Sequence, residues 1–151
     1  MRSRISMGSI AVYIERNEVN PLYDSLVNRA AQNAEDFPFA TKKDLFMLAA
    51  CVGAQHKRFE EIPTDKRIQI FDGETFKQDT DVPILAALAY QHTQDLDVLF
   101  EPSKIIRIAE GYAQGGIHIV YKRITTGSAN RPLYNLVDMV TSATEAESDL
   151  R

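Results

Sequence analysis

The sequence predicts a mainly α fold: a single compact domain of about five helices with one or two short β-strands. Three observations carry this expectation. Five segments open with helix-start residues and continue with apolar residues at three- and four-residue spacing, while only two short segments alternate with period two. The chain has 151 residues, 44% hydrophobic and 25% charged, which suits one core of ordinary composition. The domain is expected to span residues 9–143, between a flexible terminus at 1–8 and a flexible acidic tail at 144–151.

The first strand is read at residues 9–14, where Ile10, Val12 and Ile14 share one face and Ala11, Tyr13 and Glu15 the other. Asn20-Pro21 then starts a helix, because the Asn side chain can accept an orphan amide and Pro is tolerated in the first turn. Leu22, Leu26 and Ala30 continue it to about Asn33. Thr41 opens the next helix as its cap, with Asp44 in the capping-box position. Leu45, Phe46, Leu48, Ala49 and Val52 form that helix's buried face, and Gly53 is expected to be its left-handed closing residue. Cys51 inside it reads as a small buried apolar residue.

A second strand is expected over residues 67–71, ending at the turn dipeptide Asp72-Gly73. Asp79, Thr80 or Asp81 can cap a helix whose inward residues are Ile84, Leu85, Leu88 and Ala89. After an apolar turn at Leu96–Phe100, Pro102-Ser103 begins the longest helix, in which Ile105, Ile108, Ala109, Tyr112, Gly116, Val120 and Ile124 keep helical spacing. Gly115-Gly116 in its middle costs roughly 2 kcal/mol relative to two alanines, so either the helix breaks there or another backbone packs against that point, close packing being the preferred account over a hinge. Gly116 faces inward and Gly115 points ~100° away, which predicts a milder effect of substitution at Gly115. A last helix is read from Arg131 to Ser142, with Leu133, Leu136, Val137 and Val140 on its apolar side.

Little in the residue chemistry points to catalysis. The formal charge of −4 gives no globally basic surface, although residues 1–60 carry eight Lys/Arg against seven Asp/Glu and residues 61–151 nine against fourteen. One cysteine excludes an internal disulfide framework and fits a reducing, cytoplasmic setting; no apolar run reaches the ~20 residues of a membrane span. His56, His92 and His118 lie in separate segments without metal-ligand spacing, and no cofactor, metal or catalytic residue is assigned. Gly111 to Gly116 lies inside a helix and lacks the Gly-Lys-Ser/Thr ending, so it is not a phosphate loop.

The order strand, helix, helix over residues 9–54 resembles a ribbon-helix-helix module, a dimeric DNA-binding regulator in which Arg2, Arg4 and Tyr13 are the candidate DNA contacts. A second resemblance covers more of the chain. Phe39-Ala-Thr-Lys-Lys-Asp44-Leu-Phe46-Met-Leu-Ala49-Ala50 with Val52-Gly53, then Ile68-Gln-Ile-Phe71, then Ala109-Glu110-Gly-Tyr112-Ala113-Gln-Gly115-Gly116-Ile117 resemble the DNA-phosphorothioation-associated protein 4 family, over residues 37–124.

That resemblance implies a non-enzymatic accessory or adaptor subunit of a bacterial DNA-modification or anti-phage defence system. Its expected partner is a larger protein subunit of such a complex, with DNA contacted directly or through that partner, and a dimer open as the oligomeric state. It brings no catalytic residues. The tail after Asn130 and the amino-terminal extension are where the chain is expected to leave the family. A partner surface should expose a contiguous apolar patch, placed by expectation near Phe71 and Phe76. Thr41, Gly53, Gly115 and Gly116 are read as structural.

Overall fold

The computed structural model describes residues 5–27, 35–127 and 131–149, with side chains through residue 143. It is a mainly α domain with a two-stranded antiparallel sheet. In chain order the elements are β1 (Ala11–Glu15), α1 (Asn20–Leu26), α2 (Lys42–Gln55), β2 (Arg67–Asp72), α3 (Asp81–Thr93), α4 (Pro102–Thr125) and α5 (Pro132–Asp149). Single 3-10 turns at Thr64–Lys66, Gly73–Thr75 and Leu96–Phe100 link them. The central helix is α4, which packs chiefly on α2 and also touches α3, α5 and β1.

The α2–α4 crossing explains the glycines. A Cβ on Gly116 would lie 1.9 Å from the Ala49 carbonyl oxygen, and one on Gly53 would lie 1.9 Å from that of Tyr112. The two backbones are in contact, and α4 runs unbroken through the glycine pair. Gly53 therefore lies within α2 and does not close it; Lys57 takes the left-handed conformation two residues beyond the helix, at φ 55°. Gly115 is also enclosed: a Cβ there would meet the Arg58 carbonyl oxygen at 2.2 Å. The expectation of a mild Gly115 substitution fails because the chain leaving α2 folds back over that face of α4.

Caps follow the sequence in one place and depart from it in others. Thr41 Oγ1 accepts the Asp44 N–H at 3.2 Å, as its position requires. Asn20 makes no such bond. Instead the Glu15 carboxylate, expected on the outer face of β1 but only 8% exposed, accepts the N–H groups of Asn17, Glu18 and Val19. Desolvation pushes its pKa up, but the three amides together with Lys66 outweigh burial and hold it below the ordinary 4.5. At the start of α3, Asp81 reaches backward, accepting the Lys77 N–H at 2.9 Å and Lys43 Nζ at 2.8 Å, which ties α3 to the first turn of α2.

Several boundaries differ from expectation. Helix α1 ends at Leu26, because Val27 turns extended and bridges to Phe39; the remainder expected to Asn33 lies outside the described residues. Met7, within the stretch expected to be a flexible terminus, is buried beneath Gly73. The helix α5 continues to Asp149; the side chains of the expected acidic tail lie outside the described ones.

Tyr23 is fully buried, and its hydroxyl has no hydrogen-bond partner among the described residues, while burial pushes its pKa far up. An unsatisfied buried hydroxyl costs ~1–3 kcal/mol. Tyr23→Phe is therefore expected to raise stability by about 1 kcal/mol in chemical denaturation; a loss of stability would reveal an acceptor for that hydroxyl.

Candidate functional site

Strand β1 pairs with β2, Ala11 opposite Asp72 and Glu15 opposite Arg67, with Ile70 as an extra residue between the partners of Val12 and Tyr13. Its other edge is held by α4. The Tyr13 N–H donates to Glu110 Oε2 at 2.6 Å, and Arg107 donates from one nitrogen to the Ala11 carbonyl at 2.9 Å and from the other to both Glu110 oxygens at 2.6 Å. Both edges of β1 are thus engaged within the chain over residues 11–13. A ribbon-helix-helix dimer needs that strand to pair with its copy, so the structure removes the geometric premise of that reading.

Tyr13 is covered as well. The Arg67 guanidinium carbon lies 4.4 Å from its ring centroid and that of Arg107 lies 5.1 Å away, so the ring is engaged by two cations and is not a free reader of bases. Arg2 and Arg4 lie outside the described residues.

Glu110 is 4% exposed in the middle of the apolar stretch Ile105–Ala113. Desolvation, the largest influence, raises its pKa above the ordinary value, against the lowering effects of the Tyr13 amide, Arg107 and Arg67. Arg107 and Glu110, three apart on one helix face, are the residues that the sequence reading missed. The available signal was a lone carboxylate on an otherwise buried helix face, which requires a partner.

Beside this clamp a cleft of about 630 Å³ opens between the Phe59–Ile62 segment, the end of α3 and the first turns of α4. Arg67, Lys104 and Arg107 line it together with Glu61, Asp95 and Glu110. Phe59 and His92 line it too, stacked with ring centroids 4.4 Å apart; Tyr112 meets both edge-on, its hydroxyl 2.8 Å from His92 Nδ1. Phe59 can lie close against α4 because Gly111 has no Cβ, which would sit 2.2 Å from the ring. A second cavity of about 480 Å³ lies under α5, lined by Leu48, Cys51, Ile119 and Met139 among others. Burial pushes the Cys51 thiol up, which keeps it protonated and a weak nucleophile. Among the described residues no group of three or more His, Cys, Asp or Glu side chains could hold a metal ion, and no helix is long and apolar enough to cross a membrane.

The expected apolar patch is not at Phe71 and Phe76. Phe76 is 4% exposed and Phe71 half-buried, and the two pack with Phe46 at centroid distances of 5.3 to 6.0 Å. They turn inward because α2 covers that end of the sheet. Exposed large apolar residues occur elsewhere: Leu96 at 63% and Phe100 at 79% on the turn before α4, and Tyr134, Val137 and Val140 along α5. The apolar run Leu96–Phe100 was visible in the sequence; its exposure was not.

Comparison with known proteins adds one match: a family model described as DNA sulphur modification system-associated protein 4 fits residues 17–151. It extends to the last residue, so the segment after Asn130 belongs to the family pattern after all, whereas β1 lies outside the matched region. No curated protein and no solved structure matches significantly.

Proposed function

Because the chain belongs to the DNA sulphur modification system-associated protein 4 family, we propose that it is a non-enzymatic accessory subunit of such a system, acting as an adaptor for a larger protein of the same assembly. The observation that carries this reading is the turn Leu96–Phe100. Phe100 is the most exposed large apolar residue among those described, with Leu96 four residues away on the same short turn. Val98, between them, is buried and anchors the turn, so both side chains are presented by a fixed backbone. Pre-ordering of this kind spares a partner the entropic cost of fixing a loop.

Burying a Phe or Leu side chain contributes about 1.5–3 kcal/mol. Phe100→Ser with Leu96→Ser is therefore expected to weaken capture of a co-expressed protein of the modification system by at least ~10-fold. The melting temperature should stay within about 2 °C of the parent, since an exposed site contributes little to folding. Full retention of the complex in the double variant would move the contact elsewhere, and failure of every protein of the system to co-purify with the parent would defeat the adaptor reading.

A further inference from the structure

The cleft beside the β1 clamp is lined by three cations, Arg67, Lys104 and Arg107, and three carboxylates, Glu61, Asp95 and Glu110. Two guanidiniums, Arg67 and Arg107, share one carboxylate, Glu110. Arg107 is satisfied by Glu110 and the Ala11 carbonyl, whereas the buried Nε of Arg67 has no hydrogen-bond partner among the described residues. A desolvated guanidinium nitrogen without an acceptor is costly, and its planar fork matches an oxyanion. Lys104, exposed one turn before Arg107 on α4, adds a third positive charge to the lining.

The remaining lining limits what that oxyanion can belong to. Phe59 and His92 supply planar surface, and bases stack on such side chains without regard to sequence. Glu61 and Asp95 also line the cleft, and the Asp95 carboxylate accepts the Asp97 N–H at 2.9 Å. With Glu110 they balance the three cations of the lining, which opposes binding of a succession of phosphates. A volume of about 630 Å³ lies in the range of small-molecule sites, roughly 300–1,000 Å³.

We infer that this cleft binds a single nucleotide unit, its phosphate held by Arg67 and Lys104 and its base laid against Phe59 and His92. The unit is either a free nucleotide or one nucleotide of a single strand, since both present the same chemistry. This site is independent of the docking turn at Leu96–Phe100.

Isothermal titration of the full chain at low salt, with dAMP in one arm and a single-stranded pentadeoxyadenylate in the other, tests the assignment. Binding of either at one site per chain is expected; the tighter arm identifies the source. Lys104→Glu and His92→Ala, both at exposed positions outside the Glu110 clamp, should each weaken binding at least ~10-fold, loss of one cationic or stacking contact being worth about 1.4 kcal/mol or more. The melting temperature of Lys104→Glu should match the parent's, while His92→Ala, which also loses the Phe59 stack and the Tyr112 hydrogen bond, should melt a few degrees lower but still cooperatively. Absence of binding in both arms, or unchanged affinity in both variants, overturns the inference. Inorganic phosphate binding as tightly as dAMP would overturn the base contact, and a duplex binding more tightly than either probe would make the cleft an ordinary surface patch.

Discussion

Gly116→Leu is expected to lower the melting temperature by roughly 6–12 °C or more, because overpacking at this point costs about 3 kcal/mol at least and a chain of this size loses ~2–4 °C per kcal/mol. The clash is with backbone: even the first side-chain carbon would sit 1.9 Å from the Ala49 carbonyl oxygen and 2.6 Å from the Gly53 nitrogen. No rotamer relieves it, so α2 and α4 must separate along the interface that holds most of the core. Helix propensity works the other way, favouring leucine over glycine by less than ~1 kcal/mol, and it loses. Gly53→Ala should be similarly damaging from the opposite helix, and the two changes together should cost less than their sum, since one separation accommodates both. A Gly116→Leu variant as stable as the parent would refute the backbone contact.

Glu110→Ala is the second large effect, about 2 kcal/mol, since it takes the acceptor from the Tyr13 N–H and the partner from Arg107, whose own side chain is partly exposed and so contributes only a screened ion pair. The Tyr13 N–H would lose its acceptor, and the Arg107 guanidinium would keep only the Ala11 carbonyl. Glu110→Gln should be milder because its amide oxygen can still accept the Tyr13 N–H. The pH dependence distinguishes the two roles. Burial raises the Glu110 pKa above its ordinary 4.5, so the favourable contribution of the proton is complete below 4.5 and is lost as pH rises through the raised value. The parent pays that loss and glutamine does not, so the deficit of Glu110→Gln relative to the parent should shrink as pH rises across that window. Chemical denaturation of both proteins at a series of pH values measures it, and a deficit that grows with pH would show that the ion pair with Arg107 dominates over burial.

By itself the sequence determined the period, the type and the order of most elements. Alternation at Val12 and Ile14 and at residues 67–71 located both strands, Thr41 capped α2, and the spacing from Ile105 to Ile124 spanned α4 despite two glycines. These features depend on neighbours within about four residues, so a local pattern reports them. The tertiary structure decided what each face meets. It placed Gly53 inside a helix, turned Phe76 into the core, exposed Phe100, and engaged the edge of β1 through Glu110 and Arg107 in place of a second chain. Those contacts join residues 97 and 96 positions apart. Whether an apolar or charged side chain is buried, paired or left for a partner depends on which distant surface arrives against it, and only the folded chain brings that surface there.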